Sequence, residues 1–313
     1  MLFMILRRIG SGVVVLVTVA CLTFVLLYAS SSNIARNILG DQATPEALAA
    51  KEAELGLDQP LLTRLADWWA HALRGDFGRS WFTNEQVFSA IASRLPVTLV
   101  MVFASIILIA LVAAVLGMLA AVRRGWVDRL VQIGAVLGSA LPGFIIGVFL
   151  VWVFAIQLRL FPPISKITPN AGLNLWVLSL TLPVIALVIN GVASAAQQIR
   201  SAFIRQLELD YVRTLRSRGI TEREILFRHV LRSAAPAGLT VLSLQFISLL
   251  GGVVIIESIF AIAGMGRLAV EATTKSDLPL VMGVVVYTVV IVIVVNLLVD
   301  ILNGWLNPKV RVS

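Results

Sequence analysis

Charged residues are scarce in this chain of 313 residues. They make up 13% of the sequence, whereas apolar residues make up 59%, and the mean hydropathy is +0.96. Soluble domains carry roughly 25% charged residues. The charges are also unevenly spread, because several long stretches contain none. This composition excludes an ordinary soluble domain and indicates an integral membrane protein.

Cysteine and histidine are almost absent. The single cysteine, Cys21, lies in the first apolar stretch, so one chain can form neither a disulfide framework nor a metal site of cysteines. His71 and His229 are expected on opposite sides of the membrane, and neither has a second histidine or a cysteine at helical spacing. The sequence therefore predicts no metal site and no catalytic residue.

The sequence also lacks a phosphate-binding loop. No Gly-x-x-x-x-Gly-Lys-Ser/Thr motif occurs, and the glycine pairs at 251–252 and 264–266 lie in or beside apolar stretches with no lysine after them. The chain is therefore not expected to hydrolyse ATP or to hold a cofactor. If ATP drives the protein, ATP and Mg²⁺ are expected on separate partner subunits.

Six stretches without a charged residue are long enough to cross a bilayer. About 20 helical residues span about 30 Å of hydrocarbon, and the alternating segments of an outer-membrane barrel are missing. We therefore expect an all-α membrane protein with six transmembrane helices. The stretches are Ile9–Ala35, Leu95–Val122, Leu130–Leu158, Ile167–Ile199, Ser233–Ile256 and Leu278–Val299.

The first stretch begins like a signal peptide, because Arg7 and Arg8 precede it. Its apolar part from Ile9 to Leu27 is longer than the core of about 7 to 15 residues in cleaved signals, which favours an uncleaved helix. The expected division of the chain follows. It comprises an N-terminal helix (1–29), an extracytoplasmic segment (30–94), a five-helix core (95–303) with a cytoplasmic loop (200–235), and a cytoplasmic tail (304–313).

Lysine and arginine counts indicate the orientation. With the N-terminus inside, 15 of the 25 basic residues fall on the cytoplasmic side, eight of them between Arg200 and Arg232. Because cytoplasmic loops are enriched in Lys and Arg, both termini are expected in the cytoplasm. This topology explains the net charge of +8, so the expected partner is the lipid bilayer and not nucleic acid.

The densest group of charges lies between Asp210 and Pro236. Asp210 is placed to cap a short helix that ends at Gly219, where a left-handed residue is needed. Thr221 and Glu224 have the spacing of a capping box, which predicts a second helix. Pro236 is expected to begin the next membrane helix. The sequence thus predicts two short helices joined by a rigid turn.

This segment resembles the "EAA" coupling loop of ABC-importer permeases, in which an acidic residue, two further positions and a later glycine form a helix that sits in a cleft of the ATPase subunit. Asp210, Tyr211 and Val212 match the EAA positions, and Gly219 matches the glycine. A basic loop that only meets lipid headgroups is the alternative from composition alone. The resemblance implies an ATPase-coupling role for Asp210, Tyr211, Val212, Thr214, Arg218, Gly219, Thr221 and Glu224.

Further motifs are similar to the B-type permease of the dipeptide and oligopeptide branch of these importers. They are LRRI before the first helix, ATPEALAAKEAELGLDQPL (43–61), LRGDFGRS (73–80), SRLPVTL (93–99), LPGFIIG (141–147), DYVRTLRSRG (210–219), ESIFAIAGMGRLAVEA (257–272) and LVDILNGWLNPKVR (298–311). Each motif is weak by itself, but their order and spacing cover nearly the whole chain.

The resemblance implies a type I ABC-importer permease fold and import of di- or oligopeptides across a bacterial plasma (inner) membrane by alternating access. The implied partners are a homologous C-type permease subunit, two ATP-binding subunits and an extracytoplasmic substrate-binding protein. Glutathione, nickel or sugar remain alternative cargoes. A stand-alone channel or secondary transporter is a more distant alternative. The absence of Asp, Glu, Lys, Arg and His from the six stretches argues against it.

Two places depart from the resembled pattern. A Pro-Gly-Asp-Pro turn is usual after the first helix, but this chain has SSSNIARNILGD at 30–41. The usual Gly-Ile-Pro-Gly-Leu-Gly is replaced by AIAGMG at 261–266. Both places are expected on the outer side, so they concern the docking of the binding protein and the cargo.

Polar residues within the apolar stretches have two interpretations. Asn190, Gln245 and Asn296 could line a translocation path or join helices by interhelical hydrogen bonds. Pro142 and Pro183 lie inside the third and fourth stretches and are expected to kink those helices.

The extracytoplasmic segment contains two helix-like patches, Pro45–Leu55 and Leu61–Leu73. Trp68, Trp69 and Trp81 lie in or near them. These tryptophans are typical of the headgroup level of a membrane, or they belong to a small cap that receives a binding protein, which the resemblance favours. Glu257, near the outer end of the fifth helix, is grouped with them as a candidate gate or docking residue.

Overall fold

The computed structural model describes residues 2–29, 34–40, 42–165, 167 and 172–306. Positions 30–33 of the first charge-free stretch and 168–171 of the fourth lie outside these residues, and so do parts of two further predictions. They concern the departure at 30–41, and the cytoplasmic tail, of which positions 307–313 with Lys309 and Arg311 lie outside. The described residues are mainly α-helical.

The described residues form the helices α1 to α13. Two π-helical turns accompany them, Val151–Gln157 after α7 and Ile225–Val230 between α10 and α11. The α-helices are α1 (Leu2–Ala29), α2 (Ile34–Leu39), α3 (Pro45–Glu54), α4 (Leu61–Ala72), α5 (Val87–Val122), α6 (Trp126–Ala140), α7 (Gly143–Leu150), α8 (Leu173–Leu207), α9 (Asp210–Ser217), α10 (Glu222–Glu224), α11 (Leu231–Ile259), α12 (Met265–Lys275) and α13 (Leu278–Leu306).

Five helical runs are long and apolar enough to cross a membrane, namely α1, α5, α8, the continuous run from α10 to α11, and α13. The bent pair of α6 and α7 makes a sixth span if the two helices count as one. The predicted all-α membrane fold is confirmed. Several helices continue beyond the charge-free stretches. Charged residues are unfavourable in the hydrocarbon of a membrane, but they are compatible with helical backbone geometry.

The third predicted span is broken rather than gently kinked. Its two halves, α6 and the run Gly143–Gln157, meet at 90°. Leu141 at the break has an extended backbone, with φ −90° and ψ 122°, as expected for a residue that precedes a proline. Pro142 then precedes α7, where its missing N–H costs little.

Three other prolines lie inside helices, Pro96 in α5, Pro183 in α8 and Pro236 in α11. Pro183 is part of α8, which continues from Leu173 to Leu207. The sequence predicts that Pro236 begins a membrane helix, but Pro236 lies inside α11, which begins at Leu231. That prediction is wrong because a proline removes only one hydrogen bond of a long helix, and membrane helices tolerate this loss.

The chain divides into two compact units. The first is formed mainly by Thr98–Ile262, and α8 lies at its centre in contact with α6, α7 and α11. Close helix approach requires glycine there. A Cβ atom added to Gly191 would lie 2.3 Å from Ile109 Cδ1, so only glycine fits without movement of that side chain.

The second unit is formed by Ile5–Val97 and Ala263–Val294. Its core consists of two apolar clusters of buried side chains, Val87, Ala90, Ile91, Met265, Leu268, Ala272, Leu280, Val281 and Val284 in one and Ala20, Phe24, Leu278 and Met282 in the other. The buried carboxylate of Asp277 accepts hydrogen bonds from the Ser80 hydroxyl and from the backbone N–H of Trp81. This pairing attaches the loop before α5 to the start of α13.

The predicted helical patches of the outer segment are confirmed within one residue at each end. They correspond to α3 and α4 in the second unit. Thr44 is the N-cap of α3 and accepts a hydrogen bond from the Ala47 N–H at 3.3 Å. Pro45 follows as the first helical residue, the position at which proline is favoured.

Candidate functional site

The segment Asp210–Glu224, called the coupling element below, forms a short helix, a turn and the start of a second helix in the first unit. The prediction that Asp210 is the N-cap is wrong by one position. Leu209 is the N-cap, with φ −74° and ψ 149°, and Asp210 is the first residue with helical geometry. A carboxylate in the first turn still stabilises the positive end of the helix dipole.

One face of α9 is anchored and the other is exposed. Val212 is fully buried, at 0% exposure. The Tyr211 hydroxyl donates to Gln206 Oε1 at 3.3 Å, and the Thr214 hydroxyl donates to the Asp210 carbonyl at 3.1 Å. The Asp210 side chain, in contrast, is 95% exposed. The charged side chains Asp210 and Arg213 of the helix are therefore exposed.

The predicted turn at Gly219 has the hydrogen bonds of a Schellman motif. Gly219 has φ +75°, its N–H donates to the Arg216 carbonyl at 3.0 Å, and the Ile220 N–H donates to the Leu215 carbonyl at 3.2 Å. The predicted left-handed residue is confirmed. Because these bonds satisfy the last carbonyls of α9, the turn has little conformational freedom. Arg218 is the C-cap residue of α9 and directly precedes this glycine.

The second helix begins as its sequence predicts. Thr221 is the N-cap of α10, and its hydroxyl accepts a hydrogen bond from the Glu224 N–H at 3.3 Å. The Glu224 carboxylate points toward the next helical turn and accepts a hydrogen bond from the Arg228 guanidinium at 3.1 Å. From Glu222 the chain remains helical through the π-helical turn into α11. The coupling element is therefore joined to a membrane span without a loop.

An ion pair across the turn was not part of the predicted site. The Arg216 guanidinium donates from Nε to Glu222 Oε1 at 2.6 Å and from Nη2 to Oε2 at 3.1 Å. This hydrogen bonding raises the pKa of Arg216 above its ordinary value. The signal in the sequence is weak, because the two residues are six positions apart and face each other only through the geometry of the Gly219 turn.

Two further ion pairs hold the base of the coupling element. Asp128 at the start of α6 accepts two hydrogen bonds from Arg200 of α8, the longer at 2.6 Å between Oδ2 and Nη2. Arg124 donates to Glu208, directly after α8, at 2.9 Å. The Asp128–Arg200 pair is the better shielded of the two from water, so it contributes more to the position of the helix ends.

A cavity of about 530 Å³ adjoins the coupling element in the first unit. Charged and apolar side chains both line it. The charged residues are Arg124, Arg213, Arg216, Arg223, Glu208 and Glu222. The apolar residues are Ala121, Val122, Leu207, Leu226 and Phe227. Phe227 is 51% exposed. An exposed aromatic side chain among arginines is typical of a protein interface.

The predicted pathway residue Asn190 binds backbone at the break between α6 and α7. Its Nδ2 donates to the Gly138 carbonyl at 3.3 Å and to the Leu141 carbonyl at 3.2 Å. The break frees these carbonyls from helical partners, and in a membrane each unsatisfied group is costly. This geometry supports the interpretation of Asn190 as a link between helices.

The side chains of the other two predicted pathway residues also lie against neighbouring helices. Asn296 of α13 accepts a hydrogen bond from the Ser243 hydroxyl of α11 at 2.7 Å. Gln245 is half-buried, and its Nε2 lies 3.1 Å from the position that a Cβ on Gly191 would occupy. A role of these side chains in cargo passage stays a prediction.

The four residues predicted for the outer gate or docking surface have different environments. Glu257 is fully buried, at 0% exposure, and accepts a hydrogen bond from the Thr98 hydroxyl at 2.5 Å, so a soluble protein does not reach it in this structure. Trp68, Trp69 and Trp81 are partly buried against the apolar cluster that contains Phe24. Part of each tryptophan therefore stabilises the second unit.

Metal-ligating side chains do not cluster in the described part of the chain: it holds no group of three or more His, Cys, Asp or Glu residues.

Comparison with known families gives two matches that together span most of the chain. Residues 113–312 match the family described as binding-protein-dependent transport system inner membrane component. Residues 1–102 match the family described as binding-protein-dependent transport system membrane component, N-terminal.

Individual relatives align over almost their full lengths. A chain of Brucella abortus (strain 2308) named as a peptide transport system permease protein is 36% identical over 309 residues, which cover 98% of each chain. A chain of Sinorhizobium fredii named as a peptide ABC transporter permease is 35% identical over 308 residues, again 98% of each. The glutathione transport system permease protein GsiC of Salmonella typhimurium is 34% identical over 312 residues, 99% of each.

A solved structure shares the fold. The inward-facing MetNI methionine ABC transporter matches with a TM-score of 0.52 and 17% sequence identity, covering 67% of this chain and 93% of that chain.

Proposed function

This chain belongs to the family of binding-protein-dependent transport system inner membrane components, and we propose from that premise that its coupling element transmits the movement of an ATPase subunit to the membrane helices. The chain is a transmembrane permease subunit of an ABC importer. In this family ATP hydrolysis belongs to separate subunits, which would bind ATP and Mg²⁺.

One observation carries the coupling role. The exposed helix α9, the Schellman turn at Gly219 and the Arg216–Glu222 ion pair form one rigid piece, and this piece continues into α11 without a loop. A partner that moves α9 therefore moves a membrane span with it. A basic loop that only met lipid headgroups would not need such a defined turn.

The cargo that the comparisons favour is a di- or oligopeptide. Two of the relatives that align over 98% of their length are named as peptide permeases. Glutathione is the second candidate, because a relative named for glutathione transport aligns over 99% of its length at nearly the same identity. Glutathione is itself a modified tripeptide, so the two cargoes share an amide backbone and terminal charges.

The proposed assembly consists of this chain, a homologous C-type permease subunit, two ATP-binding subunits and an extracytoplasmic binding protein, in a bacterial inner membrane. Both termini of this chain would lie in the cytoplasm, as the excess of cytoplasmic Lys and Arg favours. When the ATPase subunits close, they would carry the coupling elements together, and the helices would open toward the loaded binding protein. Opening of the ATPase subunits would return the path to the inward-facing state.

The test begins with purification of this chain from its native membrane in mild detergent and mass spectrometry of the bound proteins. A second six-helix protein, ATPases with phosphate-binding loops and a secreted binding protein are expected. The complex is then reconstituted into liposomes, and uptake of labelled dipeptide, oligopeptide and glutathione is measured with and without ATP. Uptake by this chain alone, driven by a proton gradient, would contradict the importer.

A further inference from the structure

The cavity of about 530 Å³ beside the coupling element lies at the ends of three membrane spans of the first unit. Its apolar lining comes from the last residues of α5 and α8 and from the π-helical turn that leads into α11. Val122, the last residue of α5, also ends a charge-free stretch, and Arg123 and Arg124 follow it directly. The apolar part of the chain therefore gives way to a basic part at this level, as it does where lipid headgroups lie.

The apolar side of this cavity is accessible from outside the protein. Val122 is 49% exposed and Phe227 is 51% exposed. Exposed apolar surface gains free energy when hydrocarbon covers it in place of water. The cavity therefore has one side that suits the apolar part of a ligand.

The charged side of the cavity attracts an anion. Four arginines against two glutamates give the lining a net charge of +2. Each glutamate is already paired with one arginine, at 2.9 Å in the pair of Glu208 and at 2.6 Å in the pair of Glu222. The two remaining arginines, Arg213 and Arg223, carry the excess positive charge.

These two arginines are only weakly engaged within the protein. Arg213 lies 3.5 Å from Asp210, but both side chains are largely exposed, and such a pair contributes little. Arg223 is exposed and has no ion-pair partner within the described part of the chain. Because a guanidinium binds phosphate through two parallel N–H donors, both side chains are available for a phosphate group.

A lining that is basic on one side and apolar on the other matches an amphiphile. Basic pockets between membrane helices on the cytoplasmic side bind the headgroups of anionic lipids. A soluble phosphate would leave the apolar side of the cavity in water, and a zwitterionic lipid would not neutralise the excess charge. The combination of the two sides therefore favours an anionic phospholipid.

We propose that this cavity binds one anionic phospholipid of the cytoplasmic leaflet. Its phosphate contacts Arg213 and Arg223, and its glycerol and first acyl carbons cover Val122 and Phe227. Because Arg213 belongs to α9 and Val122 to α5, the lipid links the coupling element to the end of a second span, and transport per ATP hydrolysed depends on it. This consequence rests on the proposed function, whereas lipid binding itself does not. Asp210 lies outside the cavity lining, so the lipid leaves that end of α9 to the ATPase subunit.

Native mass spectrometry of the purified complex measures lipid binding. Phosphatidylglycerol and phosphatidylcholine are titrated in parallel onto the wild type, onto a cavity variant that combines Arg213→Gln with Arg223→Gln, and onto a control that combines Arg129→Gln with Arg205→Gln. The control arginines are also exposed and lie on the same predicted side of the membrane, but outside the cavity lining.

The cavity variant is expected to bind phosphatidylglycerol at least about tenfold more weakly than the wild type, because each basic residue beside an anionic lipid strengthens binding several-fold. The control variant is expected to bind it like the wild type. Equal affinity of the wild type and the cavity variant for phosphatidylglycerol overturns the proposal. Equal affinity of the wild type for the two lipids would mark an adventitious lipid only and overturns it too.

Two further arms of this experiment address the other possible occupants. Glycerol 3-phosphate is added as a soluble competitor, and displacement of the lipid at equal concentration would assign the cavity to a soluble phosphate instead of the membrane. Absence of phosphatidylglycerol binding by the assembled wild-type complex, which would follow if the ATPase subunit covered the cavity, overturns the proposal as well.

Reconstitution tests the consequence for coupling. The complex is placed in phosphatidylcholine vesicles with increasing fractions of phosphatidylglycerol, and peptide uptake and phosphate release are measured on the same vesicles. Transport per ATP is expected to rise several-fold with phosphatidylglycerol for the wild type and the control, and to stay at the level of neutral vesicles for the cavity variant. A wild-type ratio that does not depend on phosphatidylglycerol overturns the link to coupling. If the wild-type complex hydrolyses no ATP in any vesicle, the proposed function itself fails, while the result on lipid binding still stands.

Discussion

Arg216 and Glu222 face each other across the Gly219 turn and form a two-bond ion pair, at 2.6 and 3.1 Å. One residue belongs to α9 and the other begins the helix that continues into a membrane span. The pair therefore fixes the angle at which these helices leave the turn. Its value for global stability is small, because both side chains are largely exposed, so its importance is expected in transmission rather than in folding.

Glu222→Gln removes the charge that holds Arg216. The thermal unfolding temperature of the purified complex is expected to change little, because exposed ion pairs contribute about 0–1 kcal/mol. Transport per ATP hydrolysed is expected to fall roughly two- to thirtyfold, the range given by a coupling loss of about 0.5–2 kcal/mol. Uptake and phosphate release are measured on the same proteoliposomes.

The charge swap Arg216→Glu with Glu222→Arg is the matched control for this pair. It restores an ion pair across the turn in the opposite direction, although an acidic residue at the end of α9 is less favourable than a basic one. Partial recovery of transport per ATP is expected. If the swap is no better than the single change, the ion pair does not fix the turn.

Gly219 is expected to tolerate alanine better than proline. A Cβ at this position meets no atom within 4 Å, so Gly219→Ala costs only the left-handed backbone, about 1–2 kcal/mol locally. Proline cannot adopt φ +75° and lacks the N–H that bonds to Arg216. Gly219→Pro should leave the complex assembled but uncouple ATPase activity from uptake. Normal uptake by this variant would count against the coupling role.

Asn190→Ala removes two hydrogen bonds at the break between α6 and α7. A loss of about 1–2 kcal/mol in unfolding free energy is expected, since interhelical bonds in membranes are worth about 0.6 kcal/mol on average and at most about 1.7 kcal/mol. Thermal unfolding in detergent measures this loss. Gln198→Ala is the control, because exposed Gln198 bonds only within α8, to Ser194.

The same variant separates the two interpretations of Asn190. If it links helices, stability falls while the KM for peptide uptake stays constant. If it lines the path, KM rises while stability is retained.

Ala261→Gly is expected to stabilise the protein. Ala261 follows Phe260, the C-cap of α11, and has φ +49°. The Ile262 N–H donates to the Glu257 carbonyl at 2.8 Å, so an alanine occupies the left-handed position of a Schellman motif. Glycine removes the strain of the Cβ atom, and a net gain of up to about 1 kcal/mol is expected after its larger unfolded-state entropy.

Ala263→Gly is the control for Ala261→Gly, since Ala263 is not among the residues with positive φ. It is expected to destabilise slightly or have no effect. Denaturation of both variants in the same detergent measures the difference, and a loss of stability in Ala261→Gly would contradict the expected relief of strain.

Local signals explain which parts of the fold could be predicted. The capping residue Thr221, the left-handed Gly219 and the outer helices α3 and α4 each depend on side chains within a few positions of one another. The length and the absence of charge of the apolar stretches likewise located the membrane spans. These features follow from short-range physical chemistry, and the structure retains them.

The parts that could not be predicted depend on contacts between distant positions. Nothing in the sequence near Asn190 indicates that it binds the backbone of residues about 50 positions earlier. Pro236 carries a local stop signal, but the surrounding helical bonds prevail. The Arg216–Glu222 pair forms only when the Gly219 turn has formed.

The uninterrupted run from Glu222 to Ile259 has a mechanical consequence. A helix of 38 residues is about 57 Å long, and a tilt of about 5° around one end displaces the other by about 5 Å. Glu257, which accepts a hydrogen bond from Thr98, lies near the end of this helix that is farthest from Glu222. If the run moves as one body, a small rotation at Glu222 therefore displaces its other end by about the width of a side chain.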